Sequence, residues 1–277
     1  MSSVRRARPW LGTLVDIRVD GMETACAVRA IDAAFTEVAT VHRLMSFHGD
    51  DSDLARLRNA RAGTCVRVNA RTCEVLDLSL RIAAASAGAF DPTVAAALVE
   101  NGILPVPHSA CVSDIDASWR DIELLGGERV RLRRPLWIDL GGIAKGYAVD
   151  RAIEVLRAHG AIDACVNAGG DLRVAGALRE RVHVRDAWGG IAAALELADG
   201  AVATSSSTSA HRDGASRRAA EPDISVSVVA PRCMVADALT KVVLAGGDMA
   251  PSVLAAFGAQ AWTHRIAHGW RKLDRAA

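Results

Sequence analysis

Apolar residues recur along the chain at two different spacings, and these predict a mixture of strands and helices. Alternation of apolar and polar positions over residues 14–19 is typical of a half-buried strand. Over residues 22–44 the apolar positions lie three and four residues apart, which predicts a long amphipathic helix. A second helix is expected over 72–86, closed by Gly88. Further helices are expected at 53–57, after Pro92, from Gly146 to His159, and over 235–244.

Short strands are expected between these helices, without regular alternation. The predicted strands cover 65–68, 122–125, 129–132, 136–140, 164–167, 182–184, 201–204 and 224–229, with one more around Val174. A doubly wound parallel sheet needs strict strand–helix alternation, so this order favours an α+β fold. Segment 101–116 is rich in proline and small residues, which predicts a loop. Both halves contain a strand, a long helix and a glycine turn, so a structural duplication is expected.

Composition and charge narrow the class of protein. Of the 277 residues 51% are hydrophobic, enough for a sizeable core, and the formal net charge of +1 gives no overall field that would attract nucleic acid. No stretch is long and apolar enough to span a membrane. Six cysteines without a C-x-x-C pair suit a reducing compartment, and residues 1–10 carry three arginines but no apolar core of a signal peptide. We therefore expect a cytoplasmic protein.

The most informative stretch is residues 138–150, Ile-Asp-Leu-Gly-Gly-Ile-Ala-Lys-Gly-Tyr-Ala-Val-Asp. An apolar lead runs into paired glycines, and a helical pattern follows. Glycines let backbone N–H groups approach a ligand closely, and the first turn of a helix offers unpaired donors to phosphate. A second glycine turn follows a predicted strand at 167–171. Such a junction is also typical of a plain tight connection, so its meaning depends on the motifs around it.

Further motifs stand in a fixed order around this stretch. They are Trp-Leu-Gly-Thr at 10–13, Met-Ser at 45–46 with Asp-Ser-Asp-Leu at 51–54, Ala-Phe-Asp-Pro-Thr-Val at 89–94, Ala-Thr-Ser-Ser at 203–206 and Ala-Asp-Ala-Leu at 236–239. Together they resemble the ApbE family of flavin transferases, over about residues 9–247. The resemblance implies a T-fold-like α+β protein, a single domain over 1–277, that binds FAD and Mg²⁺. Such proteins transfer FMN from FAD to a threonine hydroxyl of an acceptor protein and release AMP, and some members instead hydrolyse FAD to FMN and AMP.

The resemblance also implies which residues form the site. It assigns contacts with the flavin dinucleotide to Leu11, His48, Ala89, Phe90, Asp91, Gly141, Lys145 and Tyr147. It assigns magnesium to the carbonyl of Ala144 and the carboxylate of Asp237. A diphosphate attacked at phosphorus needs its charge neutralised, which backbone donors and a divalent cation supply. Mg²⁺ is a hard cation that prefers such oxygen ligands.

Two departures from the family pattern bear on the chemistry. Family members carry a small or acidic residue at the third position after this aspartate and a threonine at the fourth. This chain has Thr240 and Lys241 at those positions. Thr240 could still offer its hydroxyl to the metal, or Lys241 could reach the phosphates and replace part of the metal's charge. Members also carry His-Ile-Ile-Asp-Pro-x-Thr-Gly after the Thr-Ser turn, and residues 205–223 include His211 but no such motif. His211 and Lys241 are the candidate catalytic groups, and an FAD hydrolase and a catalytically silent flavin-binding protein stay open as alternatives.

Simpler interpretations apply to several of these residues. Asp237 and Lys241 have the spacing of a helical ion pair, and Asp91 before a proline suits a helix N-cap. Asp150 lies one turn before Glu154, a like-charge spacing that predicts a solvated helix face. His264 and His268 are expected to share one helical face at a spacing typical of zinc ligands, but no third ligand accompanies them, so surface histidines are expected.

Overall fold

The computed structural model describes residues 2–108, 111–185, 190–207, 223–265 and 267–273. Its helices are α1 (Thr24–Met45), α2 (Asp53–Asn59), α3 (Ala70–Ala85), α4 (Ala95–Glu100), α5 (Ala144–Ala158), α6 (Cys233–Ala245) and α7 (Ala250–Ala256), with a 3-10 turn at Trp119–Asp121. Its strands are β1 (Ser3–Trp10), β2 (Thr13–Asp20), β3 (Cys65–Arg67), β4 (Ile122–Leu124), β5 (Arg129–Leu132), β6 (Asp163–Ala168), β7 (Asp171–Ala175), β8 (Arg179–Arg185), β9 (Ile191–Ala198), β10 (Ala201–Ser206), β11 (Ile224–Ala230), β12 (Gln260–Arg265) and β13 (Gly269–Lys272).

An eight-stranded sheet in the order β1-β2-β6-β7-β10-β11-β12-β13 organises the fold. Smaller sheets, β3-β5-β4 and β8-β9, stand beside it, and the strand pairs found in the described residues are all antiparallel. Helices and antiparallel sheets therefore confirm the α+β prediction, while the structural duplication stays a prediction. None of the described helices combines the length and apolar character needed to cross a bilayer.

Local signals explain where several elements begin. The hydroxyl of Ser52 accepts the N–H of Ala55 at the start of α2, and Asn69 caps α3 in the same way. The β1–β2 hairpin turns through Leu11 and Gly12, with φ values of 57° and 72°. Two successive positive φ angles are typical of the type I′ turn that joins twisted strands.

Helices α1, α5 and α6 pack against the large sheet, and the hydrophobic core lies between these helices and the sheet. Ile31 and Phe35 of α1 are buried together with Ile153 of α5 and Ile17 of β2. A second cluster joins α6, β11, α3 and the segment before α5. The two clusters meet along α5, so this helix is held on both sides and positions the residues at its N-terminus.

Helix α6 begins directly on α5. A Cβ atom at Gly146 would lie 2.6 Å from the carbonyl carbon of Cys233 and 2.8 Å from Met234 Cα, so only glycine allows this approach. The carboxylate of Asp150 accepts the N–H groups of Cys233 at 2.9 Å and Met234 at 3.0 Å. The predicted solvated position of Asp150 is therefore wrong, because its side chain is fully buried and caps the N-terminus of α6.

Other predicted elements also need correction. The predicted strand over 136–140 is wrong, because these residues pair with no described strand. The N–H of Asp139 instead donates to the carbonyl of Pro92 at 2.8 Å. Helix α5 starts at Ala144, two residues before Gly146, so Gly146 lies in its first turn while Gly141 and Gly142 lie in the turn before it. His264 lies in β12 and His268 in the turn after it, so the two do not share a helical face.

Candidate functional site

A cavity of about 630 Å³ opens beside the N-terminus of α5. Its size lies within the range of small-molecule and cofactor sites, about 300–1,000 Å³. Nine of the predicted site residues line it: Leu11, His48, Ala89, Phe90, Asp91, Gly141, Ala144, Lys145 and Lys241. Motifs spread over more than two hundred residues of sequence thus converge on one cavity.

The cavity has an apolar wall and a polar wall. Met45 at the end of α1, Phe47 after that helix, Phe90 before α4 and Leu98 within α4 supply apolar surface. On the other side lie the paired glycines at 141–142 and the first turn of α5. Ile143, the residue before this helix, makes no capping bond with its side chain. Two N–H groups of the first turn have partners within the protein: that of Ala144 donates to the carbonyl of Leu140 at 2.8 Å, and that of Gly146 to Asp237 Oδ2 at 3.2 Å. The dipole of the helix still favours negative charge near this end.

Asp139 shapes the glycine turn and also lines the cavity. Its Oδ1 accepts the N–H of Gly141 at 3.2 Å. Burial raises the pKa of this carboxyl above its ordinary value, against the opposing effect of that hydrogen bond. The sequence analysis did not predict Asp139 as a site residue. Its position two residues before the paired glycines could have indicated it.

Four charged side chains form a compact cluster behind the glycine turn. Lys145 contacts Asp171 and lies 4.0 Å from Asp237 Oδ1, while Lys241 Nζ is 2.6 Å from the same oxygen. Both carboxylates are almost completely buried, at 2% and 0% exposure, whereas the lysines line the cavity. The cluster therefore turns its positive groups toward the cavity and its negative groups toward the core.

The pKa values of the two acids move in opposite directions. Burial, followed by the charge of Asp237, raises the pKa of Asp171 to about 6. Burial also opposes ionisation of Asp237, but Lys145 and Lys241 outweigh it and lower the pKa of that group. Both ammonium groups favour ionisation of either acid, but only for Asp237 does their effect exceed that of burial.

This arrangement does not fit a magnesium ion held by Asp237. Its Oδ1 is taken by Lys241, and its Oδ2 accepts the N–H of Gly146 at 3.2 Å. The Thr240 hydroxyl donates to the carbonyl of Asp237 at 2.7 Å and lies 2.9 Å from Ser205 Oγ. Among the residues that the structure describes, no group of three or more His, Cys, Asp or Glu side chains is placed to hold a metal. Magnesium therefore stays a prediction from resemblance.

The remaining predicted residues lie in different surroundings. Tyr147 is fully buried and does not appear among the described residues of the cavity wall; its hydroxyl donates to Glu74 at 2.8 Å. His48 is exposed at the cavity rim, edge-on to the ring of Phe47. The candidate His211 lies outside the described residues.

An α+β fold whose cavity combines a glycine turn, a helix N-terminus and two ammonium groups defines a protein built to bind an anionic cofactor-sized ligand. The sequence model of the ApbE family matches residues 11–261, and the chain belongs to this family. The resemblance read from the motifs is thereby confirmed.

Individual relatives agree with this assignment. An FAD:protein FMN transferase of Treponema pallidum (strain Nichols) is 31% identical, with the match covering 84% of this chain and 76% of the relative. An enzyme of the same name from Rhodobacter capsulatus is 30% identical over 90% of this chain, which spans about half of that relative (53%).

Solved structures share the fold. The ApbE protein of Thermotoga maritima superposes with a TM-score of 0.83 at 24% identity, covering 98% of this chain and 97% of that one. The flavin transferase ApbE of Vibrio cholerae gives a TM-score of 0.80 at 21% identity, covering 98% and 96%. At these identities the likeness concerns the fold.

Proposed function

We propose that this protein is an FAD:protein FMN transferase that binds FAD in the cavity beside α5. The proposal rests on family membership together with one observation: the glycine turn, the α5 N-terminus, Lys145 and Lys241 converge on one cavity wall. A diphosphate is the part of FAD that such a wall fits, because backbone donors and ammonium groups both stabilise phosphate oxygens. The apolar wall would take the ring systems.

The reaction is the one that the family resemblance implies. The Oγ of an acceptor threonine forms a bond to the FMN phosphorus, the bond from that phosphorus to the bridging oxygen breaks, AMP leaves and the hydroxyl proton is released. Negative charge grows on the bridging oxygen as AMP departs. Lys145 and Lys241 stabilise that charge from fixed positions. Electrostatic stabilisation of this kind is a main contribution of a protein to the catalysis of phosphoryl transfer.

The test uses the purified full chain with FAD and candidate acceptor proteins, each beside a variant whose target threonine is alanine. Transferase activity predicts a covalently fluorescent acceptor, a mass gain of one FMN, and AMP in equal amount. Parallel reactions contain Mg²⁺ or EDTA, since the resemblance predicts a metal requirement. Lys272→Thr is the control variant, because this lysine lies over the ring of Trp262 in the β12–β13 hairpin, outside the cavity.

Two results would contradict the proposal in distinguishable ways. Release of FMN and AMP without any acceptor would identify an FAD hydrolase. Tight FAD binding with no AMP under any condition, for every acceptor tried, would identify a flavin-binding protein without catalysis.

A further inference from the structure

The ammonium group of Lys241 lies where the family resemblance places a divalent cation. It is 2.6 Å from Asp237 Oδ1, the carboxylate assigned to magnesium, and it lines the cavity. We propose that Lys241 is a covalently attached replacement for that cation, so that this chain binds the FAD diphosphate without a metal ion. The inference rests on the proposed function and specifies what neutralises the diphosphate.

Asp237 is already engaged by partners within the protein. Its carboxylate is fully buried, and both oxygens have partners: Lys241 on Oδ1 and the N–H of Gly146 on Oδ2. Lys145 is a second cation, 4.0 Å from Oδ1. A divalent ion at this carboxylate would lie close to both ammonium groups, and the repulsion between like charges opposes its binding.

The stem of Lys241 is held by the glycine turn itself. A Cβ atom at Gly142 would lie 3.3 Å from Lys241 Cε and 3.6 Å from Phe90 Cε2, so glycine leaves the groove through which the lysine passes. The side chain of Lys241 is 15% exposed, and its ammonium group also donates to Ser205 Oγ at 3.1 Å. This contact is longer than the one to Asp237 Oδ1, and a phosphate oxygen can replace it while the ion pair stays intact.

The chain's use of lysine supports the same reading. Lysine and arginine total 33, yet only Lys145, Lys241 and Lys272 are lysines. Two of the three stand in this cluster. An ammonium group is a compact point charge, closer to a metal ion than the planar guanidinium fork that this chain uses almost everywhere else. The two ammonium groups of the cluster lie beside two carboxylates, Asp171 and Asp237.

The test measures FAD binding, independently of turnover, by isothermal titration calorimetry in EDTA and in Mg²⁺. We expect the wild-type dissociation constant to change less than about twofold between the two conditions, because no metal takes part. Lys241→Thr restores the hydroxyl typical of the family; we expect binding about tenfold weaker in EDTA, from loss of a charge-assisted contact, and recovery in Mg²⁺. Lys272→Thr, the matched control, should bind like the wild type in both.

A second measurement needs no variant. Protein labelled with ¹⁵N only at lysine has three side-chain ammonium groups. Addition of FAD in EDTA should shift the signal of Lys241 and leave that of Lys272 in place.

Three results would overturn the inference: wild-type binding that EDTA weakens about tenfold or more, Lys241→Thr protein that binds normally in EDTA, or an unshifted Lys241 signal in FAD-saturated protein. Metal-dependent binding together with flavinylation would leave the proposed function standing and remove only this inference. Absence of FAD binding in every condition would remove both.

Discussion

Asp150 of α5 accepts the backbone N–H of Cys233 at 2.9 Å, across 83 residues of sequence. The same carboxylate receives Arg173 at 2.7 Å, so one buried acid joins α5, α6 and β7. Helix α5 carries Lys145 and α6 carries Lys241. The relative position of the two lysines at the cavity therefore depends on Asp150, which lies outside the cavity wall.

Asp150→Asn should destabilise the protein by about 3 kcal/mol, because Arg173 would be left beside a neutral amide in a nearly dry site. The free energy of unfolding in urea measures this. Glu154→Gln, one turn along the same helix and 43% exposed, serves as the control and should change it by less than about 0.5 kcal/mol. Equal effects of the two substitutions would show that Asp150 does not anchor α6.

Gly146→Ala should lower the free energy of unfolding by about 2 kcal/mol or more, through overpacking against the backbone of Cys233 and Met234. The sign is informative, because alanine in a helix interior normally stabilises by about 1 kcal/mol relative to glycine. FAD affinity should fall in the same variant, since α6 and its Lys241 must move. A stabilised Gly146→Ala protein would contradict the close approach of the two helices.

The resemblance assigns both Tyr147 and His48 to the FAD site, but only His48 lines the cavity. Tyr147→Phe removes a hydroxyl that donates to Glu74 at 2.8 Å outside the cavity. We therefore expect FAD affinity within about twofold of the wild type and a loss of about 1 kcal/mol in the free energy of unfolding.

His48→Ala changes an exposed residue of the cavity rim. FAD affinity should therefore fall severalfold, while the free energy of unfolding changes by less than about 0.5 kcal/mol. Fluorescence titration with FAD and urea unfolding measure both effects, and the opposite pattern would restore Tyr147 to the site.

The long helices could be predicted from the sequence because their apolar spacing extends over many turns. Strand β1 could not, since it is an edge strand whose side chains, including Arg5, Arg6 and Arg8, are mostly exposed and show no apolar alternation. Residues 136–140 have the apolar composition of a strand, but the N–H of Asp139 pairs with Pro92 in a loop. Composition alone does not reveal such a partner.

The cavity wall could be predicted where the family resemblance assigns its residues, as at Phe90, Asp91 and Gly141. In the charged cluster only the Asp237–Lys241 pair, one helical turn apart, could be predicted from spacing. The other contacts join residues distant in sequence. Lys145 meets Asp171 across 26 residues, and Asp237 meets Gly146 across 91. Only the packing of α5, α6 and β7 brings these groups together.

The raised pKa of Asp171 predicts a pH dependence of stability. An unfolded aspartate titrates near its ordinary value of about 3.9, whereas the folded group titrates at about 6, so the folded state holds the proton more tightly between these values. This contribution to stability is complete below about pH 4 and is lost as pH rises to about 6. Lys145 stays charged throughout, because Asp237 and Asp171 raise its pKa despite burial.

The measurement compares the wild type with Asp171→Asn by urea unfolding from pH 4 to pH 8. The stability of the wild type relative to the variant should fall by an amount on the order of 3 kcal/mol up to about pH 6 and then stay level. A difference that rises with pH over the same window would mean that the folded pKa of Asp171 is lowered.

Leu11 combines a strained backbone with a place on the cavity wall, so its two properties can be separated. Its φ of 57° is unfavourable for a residue with a Cβ atom and costs about 1 kcal/mol. Ala87 has a similar φ of 51° but is exposed away from the cavity. Ala87→Gly should therefore raise the free energy of unfolding by about 0.5–1 kcal/mol and leave FAD affinity unchanged.

Leu11→Gly removes the same backbone strain but also loses partly buried apolar contacts. Its free energy of unfolding should therefore change by less than about 1 kcal/mol, while FAD affinity falls severalfold. If both variants bind FAD like the wild type, the strain at Leu11 serves only the hairpin turn and its side chain does not contact the ligand.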